Sequence, residues 1–261
     1  MRSLVLLFLL FPLQRLSSQE QVLKFEAAFA LNADHFIGTD ALKHIYFVRN
    51  EVLYKKSEQN TWSYNNVNLG KLTLVDIQNP FKIILFYRDY NTVIVLDNNL
   101  NELTDAVSLP GANYTLAGFA SENNLWLYSK DDNLLKLFNY QNKNIQLLTQ
   151  PLSFYQKDFL AEEIFSDNQT VWLGGSRGIL TFNQYASFLS FQAISDAHDF
   201  TPLKDGTLYQ KSDDLIFQNK EDTKKLSLHK KVKIRDYSLN RKELLLFDGD
   251  SIYRYQWTDK R

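Results

Sequence analysis

An apolar triplet recurs six times along this chain. It reads Ile45-Tyr46-Phe47, Ile84-Leu85-Phe86, Leu125-Trp126-Leu127, Val171-Trp172-Leu173, Thr207-Leu208-Tyr209 and Leu244-Leu245-Leu246. Positions 45 and 245 lie 200 residues apart over five intervals, a mean period of 40. Around each triplet runs a larger unit: an apolar run, a turn, the triplet, a tight turn, a third run and a weaker fourth. Four short strands at that period are the pattern of a β-propeller, whose blades bury their faces against one another. The sequence therefore predicts an all-β fold of six four-stranded blades.

The units run from about residue 36 to 257. Their fourth strands fall at residues 61–65, 102–109, 145–149, 188–193 and 225–229. Asn79-Pro80 marks a turn, because proline cannot donate to a central ladder. The sixth unit has strands at 233–237, 243–247 and 251–257, but no fourth. An apolar-rich segment at residues 22–31 is the candidate for it. Paired beside residues 252–256, it would complete the last blade and remove an exposed edge.

Residues 1–18 read as a secretory signal peptide. Arg2 gives a positive start, residues 3–13 are apolar, and Ser17-Ser18 precede the polar Gln19-Glu20-Gln21. The apolar run is about half of what a membrane span needs. Residues 19–261 then form one propeller domain in an exported, periplasmic protein, a size all-β domains reach. No later segment is apolar enough to span a membrane. The chain has no Cys, so its core must hold it together without disulfides. Without Arg2 and Arg15, 27 basic residues face 30 acidic ones, a net of −3. That is not the basic footprint of a nucleic-acid binder.

The four histidines, His35, His44, His198 and His229, do not stand at metal-ligand spacing. There is no nucleophile elbow, phosphate loop or dinucleotide fingerprint. The sequence thus predicts no catalytic residues, no metal and no cofactor. Acidic residues recur between second and third strands: Asp89, Asp131-Asp132, Asp213-Asp214 and Asp248-Gly249-Asp250. They form either an acidic rim for a basic partner or calcium, or simply the residues that tight hairpins use. Residues 220–235 hold seven Lys and Arg, which reads as a solvated blade edge.

One stretch is more specific. Trp172-Leu173-Gly174-Gly175-Ser176-Arg177-Gly178-Ile179 resembles the repeat of periplasmic two-component-regulator propellers. Its glycines are expected in tight turns needing positive φ. Asn79-Pro80-Phe81-Lys82-Ile83-Ile84-Leu85-Phe86-Tyr87-Arg88-Asp89-Tyr90-Asn91, running into Leu96-Asp97-Asn98-Asn99-Leu100-Asn101-Glu102-Leu103, carries a second resemblance. Together with strands poor in Gly and rich in Asn, Lys and Tyr, it is similar to small exported propellers of the Bacteroidota. Among these it resembles the plug subunits that close the periplasmic end of the type IX secretion translocon. That resemblance implies a non-catalytic protein associated with the outer membrane, blocking a channel by steric occlusion. Its partner would be a large outer-membrane translocon subunit, with release driven by differential binding to another channel state. The residues expected to meet a partner are Tyr87, Arg88, Asp89, Tyr90, Asp131, Asp132, Tyr155 and Arg177. The alternative is a ligand sensor or carbohydrate-active enzyme with its site at the central channel mouth. A sensor or enzyme should carry a deep polar pocket there. A plug should carry a filled channel and a broad apolar face.

Overall fold

The computed structural model describes residues 22–258, apart from residues 112 and 241. The predicted leader lies outside the described residues. Six four-stranded antiparallel sheets stand in a ring as the blades of a propeller. From the inner strand outward, blade one is His35–Thr39, Ile45–Arg49, Val52–Lys56 and Thr61–Tyr64. Blade two is Leu74–Asp76, Ile83–Tyr87, Thr92–Leu96 and Val107–Ser108. Blade three is Tyr114–Ser121, Asn124–Ser129, Leu134–Asn139 and Asn144–Leu148. Blade four is Glu163–Ser166, Thr170–Gly175, Gly178–Asn183 and Phe188–Ala193. Blade five is His198–Leu203, Gly206–Lys211, Asp214–Gln218 and Thr223–Lys225. Blade six is Asp236–Leu239, Glu243–Phe247 and Ser251–Thr258, completed on its outside by Val22–Ala30. That last strand pairs antiparallel with Ser251–Thr258 from Val22 opposite Thr258 to Ala30 opposite Ser251, with a bulge between Phe25 and Ala27.

All six apolar triplets lie in second strands. A second strand has ladder neighbours on both sides and a neighbouring blade on each face, so alternate side chains enter different interblade cores. In blade one, Tyr46 and Val48 join Leu72, Ile83, Leu85, Tyr87 and Ile94 of blade two. Phe47, between them, joins Leu245, Phe247 and Ile252 of blade six. Ile83–Tyr87 and Thr92–Leu96 are buried along their whole length. The buried apolar residues thus fall into six clusters, one per blade interface.

Several boundaries depart from expectation, among them the inner strand of blade six, expected at residues 233–237 and observed at Asp236–Leu239. The outer strand of blade two is only Val107–Ser108, preceded by an isolated bridge between Leu96 and Glu102. The inner strand of blade four begins at Glu163, after a helical turn at Leu152–Tyr155 between blades three and four. The outer strand of blade five, expected at residues 225–229, ends at Lys225. His229 leaves that sheet, stacks on Phe25 at 3.9 Å and meets the Tyr255 hydroxyl at 2.7 Å. It thereby fastens the closing strand.

The blade-four glycines do more than turn the chain. Gly178 has φ +130°, as expected of a hairpin. Gly174 and Gly175 are close-approach positions instead. A Cβ on Gly174 would lie 2.5 Å from the Phe200 ring of blade five, and one on Gly175 would lie 2.3 Å from the Leu160 carbonyl. Gly174→Ala should therefore cost roughly 1–3 kcal/mol in denaturant unfolding, by overpacking the interface between blades four and five. Deleting Val22–Ala30 should lower the melting temperature of the whole ring. A truncated protein with an unchanged cooperative melt would show that blade six does not need its fourth strand.

Candidate functional site

Each inner strand has a ladder neighbour on one side only, and its other edge faces the axis. The N–H groups on that edge need acceptors. In blades one, three and five the inner strand is bulged, with register shifts at Phe36/Gly38, Phe119/Ser121 and His198/Thr201. At each bulge a carboxylate from the preceding blade accepts the N–H. Asp236 of blade six accepts from Phe36 at 3.0 Å. Asp76 of blade two accepts from Phe119 at 2.8 Å. Glu163 of blade four accepts from Asp199 at 2.6 Å through one oxygen and from Phe200 at 2.7 Å through the other. Hydroxyls bridge two more joints. Ser166 donates to the Phe119 carbonyl, and Tyr237 donates to the carbonyls of Asp199 and Leu208. Blades one and two are tied farther out. The buried Lys55 ammonium donates to the Asn98 carbonyl at 2.6 Å and to its side-chain oxygen.

Burial pushes all three bridging carboxyls upward. For Asp76 the donors on Gln78 and Phe119 oppose the rise, and for Asp236 the Phe36 N–H does. Glu163 reaches about 7 from its ordinary 4.5. Burial is the largest cause, Asp199 adds repulsion, and the N–H groups of Phe200 and Asp199 pull the other way. Between these strands lies an axial cavity of about 470 Å³. It is lined by apolar side chains such as Ile37, Ile77, Ile164 and Phe165, with Asp40, Asp76, Glu163 and Asp236 among the polar ones. Among the described residues no Lys, Arg or His lines it. Asp40 is also engaged, accepting from Tyr46 at 3.0 Å and His44 Nδ1 at 2.9 Å. Among the described residues no group of three His, Asp or Glu side chains is arranged to hold a metal ion.

The rim residues are spread over several blades. Tyr87 is 2% exposed within the core between blades one and two, so its ring cannot meet a partner. This corrects the sequence reading, and the cause is the blade face on which Tyr87 falls. Arg88–Tyr90 form a 3₁₀ turn beside it, from which Arg88 donates to the Thr115 carbonyl at 3.1 Å while Asp89 and Tyr90 stand exposed. Asp131 is exposed at the blade-three hairpin, where Asp132 accepts from the Leu134 N–H and the Lys136 ammonium. At the blade-six hairpin, Asp248 accepts N–H groups from Asp250 and Ser251, as turn aspartates do. Arg177 pairs with Asp158 at 3.7 Å in blade four. Tyr155 stacks on Phe188 at 4.9 Å. Phe154, edge-on to Tyr155 at 5.5 Å, is 77% exposed, and Leu189, next to Phe188 in the strand, is exposed as well. This aromatic ledge went unread in the sequence. Its signal is the charge-free run from Gln184 to Ala193.

No family model matches the sequence, and no curated protein sequence matches it. Solved structures do match in fold. Virginiamycin B lyase from Staphylococcus aureus aligns with a TM-score of 0.59 at 10% identity, over 85% of this chain and 79% of that one. BamB from Moraxella catarrhalis aligns at 0.51 and 10% identity, over 90% and 100%. The Pan2 WD40 domain of Neurospora crassa aligns at 0.57 and 9% identity, over 88% and 76%. Likenesses this distant establish the propeller fold, and the chemistry must come from this chain's own residues. Glu163 offers a direct check. Its folded-state pKa is raised, so its contribution favours folding below about pH 4.5 and is lost as pH rises through 7. Glu163→Gln loses one acceptor at every pH but cannot ionise. Its deficit in melting temperature relative to the parent should shrink between about pH 5 and about pH 8. A deficit that stays constant would show that Glu163 does not titrate in this window.

Proposed function

We propose that this protein is a non-catalytic, exported propeller that binds a protein partner. The observation that carries the reading is the aromatic ledge at the outer rim of blade four, where half-buried Tyr155 stacks on Phe188 and Phe154, Phe188 and Leu189 are exposed. Exposed aromatic side chains grouped on one face are the kind of surface a protein partner covers. The commitment of the axial carboxylates to backbone N–H groups supports the non-catalytic part, since their lone pairs serve the fold. In its finer form the proposal makes the partner a large outer-membrane translocon subunit and the role a periplasmic plug of the type IX secretion channel. That form rests on the resemblance carried by residues 79–103.

A second reading places a small ligand or substrate in the axial cavity of about 470 Å³. Glu163, held near neutrality, is the observation in its favour. The cavity also departs from the filled channel expected of a plug.

The two readings separate in one experiment. A tagged copy, purified from the native cell envelope in mild detergent, should bring down a partner in stoichiometric amount. Phe154→Asp, at an exposed position, should fold normally and lose that partner. Recovery of the protein as a lone monomer would turn attention to ligands of the axial cavity.

A further inference from the structure

Five of the six apolar triplets have a buried central residue: Tyr46, Leu85, Trp126, Leu208 and Leu245. The central residue of the remaining one, Trp172, is only partly covered. The cause is the surface it faces. Across blade four, Trp172 stands opposite Thr181, and Thr181 opposite Ser190. The row that faces them from blade five is Pro202, Thr207 and Gln218. These side chains are short or polar, so nothing large and apolar closes over the indole. The buried cluster beneath, Ile179, Ile194, Ala197, Phe200 and Tyr209, is the smallest of the six. Above it a groove of about 890 Å³ stays open, within the roughly 300–1,000 Å³ of small-molecule sites.

The walls of this groove carry unused donors. Gln192 Oε1 accepts from the Thr207 hydroxyl at 3.1 Å, and Gln218 Oε1 accepts from the Tyr209 hydroxyl at 3.1 Å. With the oxygens engaged, the Nε2 groups remain free to donate, and among the described residues no hydrogen bond uses either of them. The Trp172 indole N–H likewise has no partner among the described residues, and it is not sealed from solvent. At the mouth two turns of blade five meet, one carrying Lys204 and Asp205, the other Lys220 and Glu221. They bring two ammonium and two carboxylate groups. Among the described residues none of the four is held in an ion pair.

The chemistry of these walls selects among ligand classes. An ion finds no net countercharge, because the rim charges balance. A wholly apolar ligand would cover the amide and indole donors and leave them unpaired, which is costly. The fitting ligand has an apolar face for the indole and a periphery of groups that both donate and accept. Hydroxyls on a pyranose ring meet both conditions.

From these features we propose that the groove between blades four and five binds a neutral mono- or disaccharide. The C–H face of one ring would lie on Trp172. Its hydroxyls would accept from the Nε2 groups of Gln192 and Gln218, and donate to Asp205 and Glu221 at the mouth. The site is distinct from the axial cavity and from the aromatic ledge, and it involves no chemical step.

The test titrates the whole protein with maltose, cellobiose and lactose by isothermal calorimetry. At least one should saturate the parent, with a Kd of about 1 mM or tighter. Trp172→Phe keeps an aromatic face and should bind nearly as well, whereas Trp172→Leu should bind at least about tenfold more weakly. Ser190→Arg lies at an exposed position, so it should melt like the parent, fill the groove and lose binding even if Trp172→Leu proves unstable. Raising salt from about 0.05 to about 0.5 M should leave the affinity unchanged, because the ligand carries no charge. Failure of all three sugars to saturate the parent would overturn the proposal. So would equal binding by Ser190→Arg, which would put the sugar elsewhere. The protein-binding reading stands or falls separately. A lone monomer that binds the disaccharide keeps the groove and loses the partner, and a recovered partner with no sugar bound does the reverse.

Discussion

A ring of wedges holds only if its first and last members are joined. Here the joint is a single antiparallel ladder between Val22–Ala30 and Ser251–Thr258. No Cys is available to reinforce it. Backbone pairing and the side chains beside it carry the closure. Phe25 stacks on His229, and Phe29 packs with Leu31, Phe36 and Ile252 where blade six meets blade one. Each blade is packed on both faces, and an open ring would leave one blade of each terminal pair with an apolar face in water.

The axis poses the complementary problem. Six inner strands point free edges at one another, and bulges expose further N–H groups there. Asp76, Glu163 and Asp236 answer from alternate blades. Each gives up hydration and is pushed toward its protonated form as a result. The centre of the propeller therefore holds carboxyls that accept backbone N–H groups across blade joints, around a cavity of about 470 Å³.

The propeller was legible in the sequence because second strands, buried on both faces, repeat as near-continuous apolar triplets. The closing strand was legible because unit six lacked one and residues 22–31 offered it. The limits are equally physical. Tyr87 ends an apolar strand at a hairpin, and nothing in its spacing tells which blade face receives its ring. The bridging acids are isolated in sequence, and their meaning depends on bulges in the next blade. Gly174 reads as a turn residue, but its role is set by Phe200, distant in sequence and belonging to another blade. The ledge depends on a helical turn at Leu152–Tyr155 too short to carry helical periodicity.

The wrap-around strand also orders events in time. Val22–Ala30 precedes the strands of blades one to five in the chain, and its ladder partner, Ser251–Thr258, follows them. Blades one to five can each complete their own sheets as they emerge, since their four strands are consecutive. Until blade six forms, the first strand has no native ladder partner, and its apolar side chains and backbone edge stay uncommitted. The hazard of mispairing therefore concentrates in a single interval, which ends when blade six is assembled.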